Sequence, residues 1–170
     1  MVWVRSEYAG ELAVLSVWIT ALLPWSVSFV RGTVAGSAVT VVNFRFPLFQ
    51  LHYVLGVAFG RQSLRDLFQP LYRLPAFVPP DQVLEAWVWV AAGVVFALAL
   101  LLSIAYYARE AAVADAIPVD PVRLFGGLLG LVAVALTAAL VLFFPHQTTV
   151  PVGLPFIYVF AAVLLRIDRT

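Results

Sequence analysis

Two long apolar runs limit what this chain can fold into. Residues 83–108 and 122–144 carry almost no charge, and each run exceeds the about 20 residues that an α-helix needs to cross a hydrocarbon core of about 30 Å. Hydrophobic residues make up 64% of the chain and charged residues 11%, whereas soluble domains are roughly 25% charged. The sequence therefore predicts a mainly α, integral membrane protein.

Two further apolar runs complete a predicted four-helix transmembrane bundle. Asp81 and Asp120 are suited to be N-caps of the two long helices, and Pro121 fits the first helical position because proline has no N–H to leave unbonded there. The last run contains Pro151 and Pro155, so that span is expected to be thin or kinked. Within one membrane domain, 1–170, the predicted spans are about 7–25, 83–108, 122–144 and 150–165.

Aromatic residues mark the predicted ends of the first two helices. Trp and Tyr concentrate at both surfaces of a bilayer because their rings are amphipathic. Pairs of these rings are separated by about 26 to 30 Å along each helix, which fits the distance between two interfaces. The predicted interface anchors are Tyr8, Trp25, Trp87, Trp89, Tyr106 and Tyr107.

The insertion between the first two helices, residues 26–82, has a different pattern. Residues 26–30 and 39–46 alternate with a period of two around a glycine-containing stretch, which predicts a β-hairpin. An open hairpin would leave backbone groups unpaired in lipid, so we expect it outside the hydrocarbon. Residues 63–71 predict a short amphipathic helix that begins with Ser63 and Asp66 in a capping-box arrangement.

A five-segment topology is the alternative. Residues 46–60 could form an additional membrane segment, but about 15 residues that include Pro47 and His52 make a short span. Arginines lie in the 109–123 loop and after the last helix, whereas residues 145–150 contain none. The positive-inside rule therefore predicts a cell-membrane protein with a cytoplasmic 109–123 loop and C-terminus. Four helices place the hairpin outside the cell, and five place the N-terminus there.

Small residues and one acid stand out within the helices. Gly126, Gly130, Ala133 and Thr137 form a small-residue face on one helix, which predicts close helix packing within the monomer or between copies. Glu11 lies one turn inside the first helix and is a speculative intramembrane acidic site for a proton or cation. The alternative for Glu11 is an interfacial carboxylate that pairs with an arginine.

The chain contains no recognisable catalytic template. Cysteine is absent, which excludes disulfides and thiol chemistry. His52 and His146, without a neighbouring pair of carboxylates, make a weak zinc site. There is no P-loop, H-E-x-x-H or G-x-S-x-G motif. We therefore expect no catalytic residue, no metal, no cofactor and no nucleic-acid partner.

Several segments resemble a family of small, uncharacterised haloarchaeal multi-pass membrane proteins. The resemblance is carried by residues 2–12, Leu22-Leu23-Pro24-Trp25, Phe44-Arg45-Phe46-Pro47 and residues 118–123. It implies a membrane address, and it implies neither an activity nor a site residue.

The function that fits these features is that of a non-enzymatic scaffold, accessory subunit or envelope-sensing component. Its expected partners are the lipid bilayer and another membrane or envelope protein, and the sequence does not determine the oligomeric state. The first alternative is a small carrier or channel for a proton, ion or small solute, which requires a water-filled cavity that reaches the bilayer midplane. The second is a membrane enzyme, which requires a lateral cavity with two convergent polar groups.

Overall fold

A computed structural model describes residues 8–34, 37–55, 67–145 and 147–167. Over these residues the chain is mainly helical and has one antiparallel sheet of five strands. The helices are α1 (Ala9–Leu22), α2 (Val83–Ala108), α3 (Glu110–Ala116), α4 (Pro121–Phe143) and α5 (Leu154–Arg166). The strands are β1 (Ser26–Val34), β2 (Ser37–Arg45), β3 (Phe49–Leu55), β4 (Phe68–Pro70) and β5 (Thr148–Val150).

Helices α2 and α4 are the two that are long and apolar enough to cross a membrane among the described residues. Helix α4 packs against α2 and α5, and α1 contacts all three. Most of the side chains buried between them are apolar, and the largest include Val17, Phe96, Leu129, Val132, Leu136 and Ile157. The small polar side chains of Ser16, Thr20 and Ser103 are buried there as well. This apolar interior holds the helical part together.

The starts of the two long helices agree with the sequence-based predictions except for one N-cap. The Asp120 carboxylate accepts a hydrogen bond from the Val122 N–H at 3.2 Å, and Pro121 takes the first helical position, as predicted. Helix α2 begins at the predicted residue, Val83. Asp81 was predicted as its N-cap but lies in a preceding 3₁₀ turn, Pro80–Gln82.

Helices α1 and α5 are shorter than predicted. Helix α1 ends at Leu22 instead of Trp25, and Leu23 is extended with φ −88° and ψ 130°. The cause is Pro24, whose ring excludes the preceding residue from the helical region. Helix α5 starts at Leu154 instead of residue 150 because residues 148–150 form β5.

The sheet is larger than the predicted hairpin. Its strand order is β4-β3-β2-β1-β5, and the hairpin β1–β2 runs in register from the pair Ser26 and Arg45 to the pair Val34 and Ser37. Strand β3 extends it on one side, and the three-residue strands β4 and β5 form the edges. Strand β3 and the two edge strands were not predicted from the sequence.

Two predictions for the insertion are wrong over the described residues. Residues 49–55, part of the alternative membrane segment, form β3, because Gln50 and His52 alternate with apolar neighbours in a period-two pattern. Of the predicted amphipathic helix at 63–71, Leu67 is helical, whereas Phe68–Pro70 form β4 and Leu71–Ala76 form a 3₁₀ helix. Residues 63–66, with the predicted capping box, lie outside the described residues.

The base of the sheet is joined to the helices at the end where α1 ends and α2 begins. The Trp25 N–H donates to the Arg45 carbonyl at 2.8 Å, and the Val152 N–H donates to the Trp25 carbonyl at 3.1 Å. The turn between β2 and β3 packs on α2 at Gly93, where an added Cβ would lie 2.6 Å from the Pro47 carbonyl oxygen. Glycine at this position therefore permits the close approach of the turn.

Candidate functional site

At its base, the sheet directs polar side chains inward and apolar side chains outward. Across the paired strands, the inner face contains one row of Ser26, Arg45, Gln50 and Gln69 and a second row of Thr149, Ser28, Asn43 and His52. These side chains are buried or half-buried. The next row, on the outer face, contains Val150, Val27, Phe44, Leu51 and Phe68. A sheet with one face in water shows the opposite arrangement.

The inner face lines a cavity of about 430 Å³. The wall opposite the sheet is formed by the segment that precedes α2, with side chains from Leu74, Phe77, Val78, Pro79 and Gln82, and Gln147 closes one side. Among the described lining residues there is no carboxylate. The volume lies within the range of about 300–1,000 Å³ that is usual for small-molecule sites.

Arg45 supplies a buried positive charge to this cavity. Its side chain is 4% exposed, and its Cζ lies 4.3 Å from the ring centroid of Phe143 and 5.4 Å from that of Trp89. Among the described residues, its Nε and Nη1 atoms have no hydrogen-bond partner. Burial lowers the pKa of Arg45 to about 10, so the guanidinium is still protonated at neutral pH. A buried cation with unused donors is costly unless an acceptor or an anion compensates it.

A hydrogen-bonded chain fixes the second row of the inner face. The Asn43 amide nitrogen donates to Ser28 Oγ at 3.3 Å, which turns Asn43 Oδ1 towards His52. Oδ1 then accepts a hydrogen bond from His52 Nδ1 at 2.7 Å. Burial lowers the pKa of His52, so the imidazole is neutral at neutral pH and keeps a lone pair on Nε2.

Other buried polar atoms that have no partner over the described ranges lie at the same end of the molecule. They are Trp25 Nε1, Ser26 Oγ, Gln50 Oε1, Trp89 Nε1, Gln147 Nε2 and Thr149 Oγ1. Native proteins satisfy the great majority of their buried polar groups. Most of these atoms are donors or hydroxyls, so the region is suited to a molecule that brings acceptors.

The model of a family of unknown function, DUF7549, matches residues 2–169. The chain belongs to DUF7549. This result supports the expected membership of an uncharacterised family. The family description names no source, compartment or activity, so the haloarchaeal and membrane parts of the resemblance stay predictions. A search of curated proteins finds no match.

In this DUF7549 chain the predicted interface aromatics divide into two groups. Tyr8, Trp87 and Tyr107 are exposed, whereas Trp25, Trp89 and Tyr106 are buried. The rings of Trp25 and Trp89 pack edge to face at 5.7 Å, and the Tyr106 hydroxyl donates to Glu110 at 2.7 Å. The three buried rings therefore contact protein, and an anchoring role stays a prediction for the exposed ones.

The predicted small-residue face of α4 lies against α5. A Cβ added at Gly126 would be 3.0 Å from Leu164 Cβ and 3.1 Å from the Leu165 backbone nitrogen, and one at Gly130 would be 3.8 Å from Ala161 Cβ. Ala133 is buried in this face. Further along it, Thr137 Oγ1 and the Tyr158 hydroxyl are 2.8 Å apart.

The remaining acidic and histidine residues that the sequence singled out lie in different parts of the molecule. Glu11 is exposed on the first turn of α1, at the end away from the sheet, so its role as a proton or cation site stays a prediction. Of the two histidines, His52 lines the cavity and His146 lies outside the described residues. Over the described ranges, no group of three or more His, Asp or Glu side chains is placed to hold a metal ion.

Arg45, Asn43 and Gln50 were not predicted as site residues. The available signal was the alternation of apolar and polar residues at 42–45 in β2 and at 49–53 in β3. That alternation defines two faces, but it does not state which face is buried. Had the polar face been taken as the inner one, the cavity lining could have been found.

Proposed function

We propose that this protein is a non-enzymatic, multi-pass membrane protein that holds a ligand-sensing or accessory sheet at the outer surface of the cell membrane. In this proposal α1, α2, α4 and α5 cross the bilayer as a four-helix bundle. In the most apolar 18 residues of each long helix, only a minority of residues are buried. The buried share is 33% in Pro80–Ala108 and 39% in Pro121–Phe143. The core helix of a soluble protein would be mostly buried, so this exposure supports contact with lipid.

Helix lengths support the same arrangement. At about 1.5 Å per residue, the 26 residues of α2 and the 23 of α4 give about 39 and 35 Å. The 14 residues of α1 and the 13 of α5 give only about 21 and 20 Å. Each of the two short helices is therefore shorter than the hydrocarbon core, which is about 30 Å thick. Strand β1 starts soon after α1, and β5 ends soon before α5, so the base of the sheet would fill the remaining depth.

The single observation that carries the proposal is the apolar outer face of the sheet. Phe44, Leu51 and Phe68 are exposed there. In that row all five strands are paired, so most of the backbone groups are hydrogen-bonded within the sheet, as lipid requires. The edge strands are only three residues long, which keeps the unpaired edges short.

The position of the cavity favours sensing over transport. It lies beneath the sheet at one end of the helices, whereas the large side chains buried between the helices are apolar. A carrier would need a polar path to the midplane. The small polar side chains buried in the helices, Ser16, Thr20 and Ser103, each donate to a backbone carbonyl of their own helix, so they give that alternative no support. The described cavity lining also has no carboxylate to act as a general base or nucleophile, so it gives no support to an enzyme of that kind.

Cysteine accessibility tests the topology. Because the chain contains no cysteine, single cysteines at Ser37, Thr148 and Ala112 can be labelled without background in intact cells, using a membrane-impermeant maleimide. We expect labelling at Ser37 and Thr148, on the sheet side, and labelling of Ala112, in α3, only after permeabilisation. Labelling of Ala112 in intact cells, or recovery of the protein in the soluble fraction, would contradict the proposal.

A further inference from the structure

The cavity beneath the sheet combines one buried cation with a lining rich in hydrogen-bond donors. The geometry points to a binding site in this cavity for a singly charged oxyanion, a carboxylate or a phosphodiester, which Arg45 binds through its guanidinium. The inference goes beyond the proposed membrane role and does not depend on the bilayer topology.

The charge of the site limits the charge of the ligand. Arg45 is 4% exposed, and its Nε and Nη1 atoms have no hydrogen-bond partner within the described part of the chain. The described lining residues include no carboxylate to neutralise it. Glu85 is buried on the first turn of α2, has an interaction of its own and does not line the cavity. One guanidinium balances one negative charge, so a monoanion fits better than a doubly charged phosphate monoester.

Neutral groups around Arg45 are suited to the remainder of such a ligand. The amide nitrogen of Gln147 is buried and has no partner among the residues that the structure describes, while Gln50 donates through Nε2 to Gln69 Oε1. Opposite these amides, Leu74 and Phe77 form an apolar wall. An anion with a short alkyl or glycerol part would place its charged end on Arg45 and its remainder against this wall.

Thermal unfolding of the purified full-length protein in mild detergent tests the site. The probes are sn-glycero-3-phosphoglycerol and butyrate, each compared with chloride at constant ionic strength. At about ten times Kd we expect the Tm of the wild type to rise by about 3 °C, because the anion binds only the folded state. R45M should not respond, and without anion it should be at least as stable as the wild type, because a buried unpaired charge has been removed.

A matched control is R73M, which removes an exposed arginine from the 3₁₀ helix Leu71–Ala76 next to the cavity wall. It should respond to both probes like the wild type. If R45M does not fold, R45K keeps the charge but loses the planar guanidinium, and its apparent Kd should rise about tenfold, the effect of roughly one charged hydrogen bond. An unchanged Kd in R45K would contradict the inference.

Native mass spectrometry separates the two sources of the oxyanion. A lipid headgroup in the cavity predicts a phospholipid adduct on the wild type and R73M but not on R45M, with a response to the soluble probes only after delipidation. A soluble anion predicts no adduct and an immediate response. The inference fails if the wild type shows neither an adduct nor a Tm rise, or if R45M responds as R73M does.

Discussion

Arg45 is the last residue of β2, and the aromatic rings beside it determine how its charge can be used. The guanidinium carbon lies 4.3 Å from the Phe143 centroid and 5.4 Å from that of Trp89. Rings attract the flat, weakly hydrated guanidinium through their faces, and they do not compete for its in-plane N–H donors. The rings can therefore hold the cation in a buried position while its donors stay available for an acceptor in the cavity.

His52 makes the stability of the sheet depend on pH. Burial lowers its pKa below the ordinary 6.5, so as pH falls through about 6.5 the unfolded chain takes up a proton before the folded protein does. Stability is therefore complete above this pH and declines below it. We expect the Tm to fall between pH 7.5 and pH 5.0, and to fall less in His52→Gln, whose amide can still bond Asn43. Equal pH slopes in the two proteins would contradict this role.

The alternation of polar and apolar residues in the strands was visible in the sequence. Which of the two faces is buried was not. Asn43 and Arg45 alternate with Val42 and Phe44, and in water the apolar set would be expected to face the core. The structure buries Asn43 and Arg45 and exposes Phe44, although Val42, on the same face as Phe44, is buried as well. A pattern of alternation fixes the period of the strand, whereas the choice of face depends on the medium outside it and on the helices beneath it.

The contact between α4 and α5 depends on Gly126. An added Cβ would meet the backbone nitrogen of Leu165 at 3.1 Å, whereas at Gly127 it would meet nothing within 4 Å. We expect Gly126→Val to lower the free energy of unfolding by about 2 kcal/mol more than Gly127→Val, because only the first variant forces the helices apart. Such a difference corresponds to a Tm lower by about 4–8 °C in detergent. Equal losses of unfolding free energy in the two variants would contradict this expectation and would indicate that α5 can shift to make room for the added side chain.

The elements differ in how far they could be predicted. Helices α2 and α4 have long apolar runs and, at Asp120 and Pro121, a local start signal, so their predicted bounds agree with the structure to within one residue. Strand β3 was missed because a run of seven residues is too short to distinguish a strand from a membrane segment by hydrophobicity. Strand β5 has only three residues and is defined by pairing with β1, a long-range contact that leaves no local signal.

For the whole molecule, the proposed position of the sheet predicts which of its faces lipid touches. A bimane probe on a single cysteine at Leu51, in the outer row of the sheet, should be quenched by brominated lipid in proteoliposomes. Leu101, which is exposed on α2, serves as the lipid-facing control, and Ser37, at the tip of the hairpin, should not be quenched. Strong quenching at Leu101 without quenching at Leu51 would indicate that lipid does not contact the sheet. The apolar outer face would then be exposed to water and available to bind a protein partner.

The pairing of β1 with β5 also determines the order in which the protein can be completed. Strand β1 follows the first helix, but Thr148–Val150 leave the ribosome only after α4 has been made. Until then the edge of β1 at Val27–Phe29 has no strand to pair with. The cavity that Arg45 lines also lacks the side that Gln147 closes. The site is therefore among the last parts of the molecule to form during biosynthesis.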